Sequence, residues 1–182
     1  MTPSECLKTR RSIRRFTTQA VPHEVLKDIV ETASYSPSWK HTQIVRYIAV
    51  ENTALKTKIA DECTDMYKNN GEIIKGAPML IAVTMIKNRS GYERDGSFST
   101  PKGTGWQMYD AGIASMAFCL AAWERGIGSV ILGLFDEEKT SSLLQIPEER
   151  ELAALIAIGY PDEMPNTPKR KTVEELLSIL SE

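Results

Sequence analysis

The sequence contains a short basic run whose residue types are suited to binding an anion. Arg10, Arg11, Arg14 and Arg15 surround Ser12. A guanidinium group binds a phosphate through two parallel hydrogen bonds, and a serine hydroxyl adds an uncharged donor. The run therefore indicates a phosphate site, although an arginine pair taken alone is more often a solvated basic surface.

A second basic cluster lies near the other end of the chain. It consists of Lys169, Arg170 and Lys171. A run of like charge in such a position is usually solvated. Together the two clusters suggest one anion held from both chain ends, but the sequence alone does not place them near each other.

A predicted loop, Ser36–Gln43, concentrates polar and aromatic side chains. Its central residues are Pro37, Ser38, Trp39, Lys40 and His41. Loops with this composition often carry function. An ordinary connection, in which Trp39 covers a nearby core, explains the composition equally well.

No side chain stands out as a nucleophile or a catalytic base. The two histidines form no HExxH motif and the three cysteines form no cluster, so no zinc site is predicted. The chain lacks a phosphate-binding GxxxxGK[ST] loop and a GxSxG elbow. The glycines of 126–133 follow a helix and are out of register for a dinucleotide fingerprint. Either the protein is not an enzyme, or a cofactor supplies the chemistry.

Composition and charge exclude several classes of protein. The formal net charge of -2 argues against binding to nucleic acid or to a membrane surface. An odd number of cysteines without CxxC spacing indicates reduced thiols, and no apolar leader is present, so a cytoplasmic location is expected. The apolar runs are far shorter than the roughly 20 residues of a membrane helix.

Hydrophobic periodicity and capping signals predict the helices that must position these residues. They run from Thr2 to Thr9, from Pro22 through Ala33, from Asn52 through Cys63, from Tyr109 to Arg125, from Asp136 to Gln145 and from Thr172 through Leu180. The helix after Tyr109 is apolar nearly all round, so we expect it at the centre of the fold or at a subunit interface.

Apolar and β-branched runs predict four strands. They are Ile44–Val50, Pro78–Ile86, Val130–Leu134 and Leu152–Ile158. Residues 88–104 are polar and glycine-rich, which predicts a long functional or mobile loop. Helices and strands mix without strict alternation and without a linker. The pattern favours one α+β domain over 1–182, with helices packed on a central sheet.

Motifs along almost the whole chain resemble, in order, those of the nitroreductase-like FMN proteins. They are Arg10–Phe16 (RRSxRxF), Ser36–Gln43 ((A/S)PSxxNxQ), Gly105–Gly112 (the D-x-G start of the central helix), Ala121–Ser129 (AA…GLG), Gly133–Asp136 (G-F-D) and Ile158–Pro161. Each motif alone is weak, whereas the ordered set is specific.

The resemblance implies a nitroreductase-like α/β sandwich with a mostly antiparallel central sheet, and a homodimer with FMN at the subunit interface. The ribityl phosphate and the pyrimidine edge would be held by Arg10, Arg11, Ser12 and Arg14. The loop of Pro37, Ser38, Trp39, Lys40 and His41 would reach the FMN bound mainly by the other subunit. The flavin ring would be lined by Ile131, Leu132 and Gly133, and the phosphate would also meet Lys169, Arg170 and Lys171.

The same resemblance implies an FMN-dependent NAD(P)H oxidoreductase. It would reduce nitroaromatics, quinones or similar small acceptors by ping-pong hydride transfer, with the flavin rather than a side chain carrying the chemistry. A flavin-fragmenting or dehalogenating relative, or a flavin-binding sensor without turnover, are the alternatives. The sequence identifies neither the preferred nicotinamide nor the acceptor.

The sequence departs from the motifs in two places. The usual asparagine of the loop is His41, and a histidine that gains charge near pH 6–7 predicts a pH dependence of FMN affinity or of FMN reduction. The common Pro-Trp after the glutamine is Ile44 and Val45. The loop over 88–104 carries no readable motif, which leaves the acceptor open.

Overall fold

The computed structural model describes residues 1–64 and 67–181. The helices are α1 (Pro3–Thr9), α2 (His23–Ser34), α3 (Thr53–Cys63), α4 (Lys68–Gly76), α5 (Gly105–Glu124), α6 (Glu137–Leu143) and α7 (Val173–Leu176). The strands are β1 (Val45–Val50), β2 (Met79–Ile86), β3 (Gly128–Leu132) and β4 (Arg150–Gly159). A single 3-10 turn covers Trp39–His41.

The four strands form one antiparallel sheet in the order β1-β2-β4-β3. The central strand β2 is buried along nearly its whole length, as its continuous apolar run predicts. A bulge interrupts its pairing with β4, because Val83 pairs with Ala154 while Thr84 pairs with Leu152. The predicted antiparallel α+β sandwich is confirmed.

Helices cover both faces of the sheet. On one face Ile29 of α2 and Phe118 of α5 pack against the sheet in a fully buried cluster. On the other face Ile59 of α3 and Ile74 of α4 pack against Leu155 of β4. Burying one such side chain is worth roughly 1.5–3 kcal/mol, so these two cores stabilise the packing of helices on the sheet.

The N-terminal basic run completes the free edge of β3. Ser12 bridges Ser129 in parallel, and the Ile13 N–H donates to the Ser129 carbonyl at 3.0 Å. A Cβ on Gly128 would lie 2.8 Å from Cγ1 of Ile13, which is closer than real contacts allow. Glycine at this position therefore lets the run lie directly against the strand.

Three predicted boundaries need correction. The strand predicted as Val130–Leu134 is Gly128–Leu132, because pairing with β4 begins at Gly128 and Gly159. The central helix begins at Gly105 rather than Tyr109, since the Gln107 side chain accepts the Asn88 N–H at 2.7 Å and anchors the first turn.

The last helix, predicted through Leu180, ends at Leu176. Its capping box at Thr172 and Glu175 forms, but the apolar residues that follow are exposed. A short helix needs a packing surface, and none covers this one within the described residues. Helix α4 was not predicted, because its opening residues are polar.

Candidate functional site

The structure brings the two chain ends together at the basic run. One guanidinium nitrogen of Arg11 donates to the hydroxyl of Thr167, two residues before the second basic cluster. The other donates to the carbonyls of Lys8 and Arg10, each at 2.8 Å. Lys169, Arg170 and Lys171 themselves are exposed. The Arg11–Thr167 contact therefore brings the segment just before the second basic cluster to the basic run.

Arg10 has an unused donor in this region. Its Nε atom is buried and finds no hydrogen-bond partner among the described residues. Leaving a buried donor unsatisfied costs about 1–3 kcal/mol, so such an atom is normally completed by a ligand or by water. An anion such as a phosphate fits this donor, with the Ser12 hydroxyl nearby in sequence.

A carboxylate that the sequence analysis missed fixes the second half of the basic run. Oε1 of Glu163 accepts the main-chain N–H groups of Arg14 at 2.6 Å and Arg15 at 3.2 Å. Oε2 accepts Nε of Arg15 at 3.2 Å. These main-chain donors, with the Arg15 guanidinium, hold the pKa of Glu163 below its ordinary value. The contact spans most of the chain, so no local spacing could reveal it.

The loop Ser36–Gln43 is held in a strained conformation. Lys40, His41 and Gln43 have φ angles of 43°, 57° and 47°, which non-glycine residues seldom adopt. The Trp39 N–H donates to both carboxylate oxygens of Asp110, at 3.0 and 3.1 Å. Asp110 is only 2% exposed, so this anchor is buried. Strain maintained by buried contacts is typical of binding loops.

Segment 88–104 packs against that loop. Its Tyr92 and Phe98 form a β-bridge with their rings 4.9 Å apart. Lys40 makes a 2.8 Å ion pair with Glu93, and this bond lowers the pKa of the Glu93 carboxyl. The ring of Trp39 lies 4.4 Å from that of Trp106, the second residue of α5. The predicted functional segment therefore contacts the predicted binding loop directly.

The end of β3 offers a mixed surface. Ile131 is 47% exposed, and a Cβ on Gly133 would meet nothing within 4 Å. Leu132, in contrast, is 5% exposed and belongs to the core with Val130 and Leu155. The exposed surface at this end of β3 therefore comes from Ile131 and Gly133 rather than from the Leu132 side chain.

A cavity of about 750 Å³ lies between α2, β1 and α5. Ser36, Pro37 and Ser38 contribute to its wall, and Tyr47 lies within it. Burial raises the pKa of Tyr47 to about 12, so its hydroxyl stays protonated. The basic run does not line this cavity.

Apolar side chains, two of them exposed and the rest half-buried, line a shallow groove along one face of α5. They include Met108, Tyr109, Ile113, Met116 and Leu120. No hydrogen bond joins the Ser36–Gln43 loop to the basic run within residues 1–64 and 67–181.

A family model described as the nitroreductase family matches residues 7–160. The chain belongs to this family. The match spans the basic run, the strained loop, α5 and the end of β3. It confirms the predicted family and the oxidoreductase class that the family defines.

Individual relatives agree with the family assignment. The chain is 27% identical over 186 residues to a Bacillus subtilis protein provisionally named NAD(P)H nitroreductase YfhC, covering 94% of this chain and 90% of that one. A provisionally named nitroreductase of Desulfovibrio desulfuricans, solved in complex with FMN, is 26% identical, with a TM-score of 0.76 over 97% and 96% of the two chains.

A relative of different activity is also similar. The iodotyrosine deiodinase of Hydra vulgaris is 27% identical over 197 residues, which cover 94% of this chain and 70% of that protein.

Within the described residues, no helix is long and apolar enough to cross a membrane. In the same residues no group of three His, Cys, Asp or Glu side chains could hold a metal ion.

Proposed function

We propose that this nitroreductase-family chain is an FMN-dependent NAD(P)H oxidoreductase that reduces nitroaromatic, quinone or similar small acceptors by ping-pong hydride transfer. The proposal rests on one region of the structure. Arg11, near the start of the chain, donates to Thr167, near its end. Beside it, the buried Nε of Arg10 has no hydrogen-bond partner among the described residues. A dianionic phosphate supplies the acceptor oxygens that this arrangement lacks.

The basic residues divide into distinct roles in this proposal. Arg10 and Ser12, with Lys169, Arg170 and Lys171 from the tail, bind the ribityl phosphate. Arg14 binds the pyrimidine edge of the flavin. Arg11 contributes by joining the chain ends, since its terminal nitrogens already donate to Thr167 and to main-chain carbonyls.

The end of β3 binds the ring. Ile131 and Gly133 line it, and Leu132 contributes through its main chain because its side chain is buried in the core. When bound, FMN supplies the hydride chemistry through N5 of its ring. The protein orients the ring, and its cationic and N–H donors stabilise negative charge that develops on it.

The homodimer belongs to the same proposal. The loop of Pro37, Ser38, Trp39, Lys40 and His41 completes the FMN site of the other subunit, with 1–182 acting as one domain. Two observations support this. No hydrogen bond joins the loop to the basic run within the described residues, and the groove on α5 is lined by the exposed Met108 and the half-buried Ile113 and Met116. A second subunit packed on this groove would remove apolar side chains from water, which favours association.

Steady-state kinetics test the proposed reaction. With NADH or NADPH varied at several fixed concentrations of a quinone, a ping-pong enzyme gives parallel double-reciprocal lines. Intersecting lines would contradict alternating access of donor and acceptor. Sedimentation at the assay concentration tests the dimer, and a monomer that binds FMN fully would contradict a site shared between subunits.

A second candidate function is reductive dehalogenation, which the similarity to the Hydra deiodinase favours. Both functions use the same FMN site and differ in the acceptor. Halide release from an iodinated phenol under anaerobic conditions, compared with nitro reduction by the same sample, separates them. Halide release that exceeds the turnover of quinones and nitroaromatics would replace the first candidate by the second.

A further inference from the structure

The main chain of the basic run is attached to the fold at two places, with Arg14 between them. Upstream, Ile13 bonds to Ser129 of β3. Downstream, the Thr17 N–H donates to the Tyr160 carbonyl at 2.9 Å and the Asp162 N–H donates to the Arg15 carbonyl at 3.0 Å. The N–H of Arg14 is used by neither attachment. It is taken by Glu163.

Glu163 contacts the main chain between these two attachments. One carboxylate oxygen accepts two consecutive N–H groups, those of Arg14 and Arg15, and its side chain is only 17% exposed. Two successive main-chain N–H groups directed at one point form an anion-binding concavity. Here the anion is the Glu163 carboxylate. Because it already occupies this position, a phosphate must bind elsewhere.

Glu163 forms its side-chain ion pair with Arg15 rather than with Arg14, so the guanidinium of Arg14 stays available to a ligand. Within the described residues the Arg14 guanidinium makes one hydrogen bond, a long one of 3.3 Å from Nη1 to the Ser12 carbonyl. The side chain is exposed and starts from a main chain that Glu163 and the attachments at Ser129, Tyr160 and Asp162 hold in one place. A long side chain on a fixed base loses less conformational entropy when it binds a ligand.

We propose that Glu163 is a positioning residue for flavin-ring recognition, which holds the main chain of Arg14 so that its guanidinium meets the pyrimidine edge while the phosphate goes to Arg10, Ser12 and the tail. This inference rests on the proposed function. It assigns a role to a carboxylate beside a cationic site, where an extra negative charge would otherwise weaken binding of an anion.

Binding of FMN and of riboflavin to the Glu163→Gln variant tests the proposal. Riboflavin lacks the phosphate and reports contacts to the ring and ribityl chain alone. We expect Glu163→Gln to weaken both ligands by about tenfold, the scale of one charge-assisted hydrogen bond, and to leave the ratio of the two Kd values unchanged. An Arg14→Met background removes the guanidinium, and Glu163→Gln should then cause no further loss.

Two comparisons show whether the effect is specific. Glu5→Gln is the matched control, because the Glu5 carboxylate also accepts a main-chain N–H, that of Thr2 at 2.7 Å, away from the run. It should leave both Kd values unchanged. Melting curves of all variants show whether each is folded. If Glu163→Gln does not fold, Glu163→Asp keeps the charge with a shorter reach, and is compared in the same two backgrounds.

The outcomes separate the inference from the proposed function. A wild-type protein that binds neither FMN nor riboflavin defeats the proposed function itself. A wild-type protein that binds both, with Glu163→Gln binding equally well, overturns only the role of Glu163. Losses that add in the Arg14→Met background, or that change the ratio of the two Kd values, also overturn it.

Discussion

The indole rings of Trp39 and Trp106 lie 4.4 Å apart and are tilted by 44°. Trp39 belongs to the strained loop, while Trp106 lies in the first turn of α5. The Trp106 Nε1–H donates to the hydroxyl of Thr100 at 2.8 Å. Tyr109 adds an edge-on contact to Trp106. This aromatic group joins the strained loop, segment 88–104 and the central helix.

Replacing Trp106 tests whether the aromatic pair supports the fold. Trp106→Leu keeps an apolar side chain but loses the ring contacts and the hydrogen bond to Thr100. We expect it to lower the free energy of unfolding by about 1–2 kcal/mol, measured by urea denaturation. Thr100→Val removes the hydrogen bond alone and should cost less. Equal losses for the two variants would show that the ring contacts contribute nothing.

Asp110 should control the order of the strained loop. Its buried carboxylate accepts the Trp39 N–H, and a hydrogen bond to a charged group contributes about 1.5–3 kcal/mol. Asp110→Asn keeps the shape but removes the charge and one acceptor oxygen. Hydrogen exchange of the peptide that contains Trp39 should become at least about tenfold faster, in keeping with that free energy. Unchanged exchange in a folded variant would show that Asp110 does not anchor the loop.

Gly128 should tolerate no side chain. An added Cβ would lie 2.8 Å from Cγ1 of Ile13 and 3.0 Å from the ring of Pro161. Gly128→Ala should therefore cost about 1–3 kcal/mol through overpacking and displace the basic run from β3. Gly133→Ala is the matched control for stability, because nothing lies within 4 Å of its added Cβ. A Gly128→Ala variant as stable as the control would contradict the close contact of run and strand.

Glu163 should make stability depend on pH in a defined direction. Its pKa is lowered in the folded protein, so its contribution is complete above the ordinary value of 4.5 and is lost as pH falls through the lowered pKa. The difference in unfolding free energy between wild type and Glu163→Gln should be about 1–2 kcal/mol near pH 7 and shrink below pH 4.5. A difference that persists unchanged at lower pH would contradict the hydrogen bonds to an ionised carboxylate.

Elements with strong local signals were predictable from the sequence. α1 begins and ends as predicted, because Thr2, Pro3 and Glu5 form a capping box whose contacts span only three residues. β2 was predictable because both of its faces are buried, which requires a continuous apolar run. Helix α4 was missed because its opening residues are polar and only Gly71, Ile73 and Ile74 are buried.

Contacts between distant residues account for what the sequence could not show. Local patterns indicated the basic run and the loop, but not the carboxylates that hold them. Glu163 lies 149 positions from Arg14, and Asp110 lies 71 positions from Trp39. The burial of Leu132 is a further case: the resemblance implies a ring contact there, and the structure adds that its side chain belongs to the core beneath the sheet.

The visible spectrum of the purified protein, recorded before and after anaerobic addition of NADH or NADPH, tests the central claim most directly. The account predicts the absorption bands of oxidised flavin, retained through gel filtration and bleached when the nicotinamide is added, because the flavin carries the hydride chemistry. A folded protein that stays colourless after incubation with FMN, or whose flavin bands do not bleach with either nicotinamide, would contradict it.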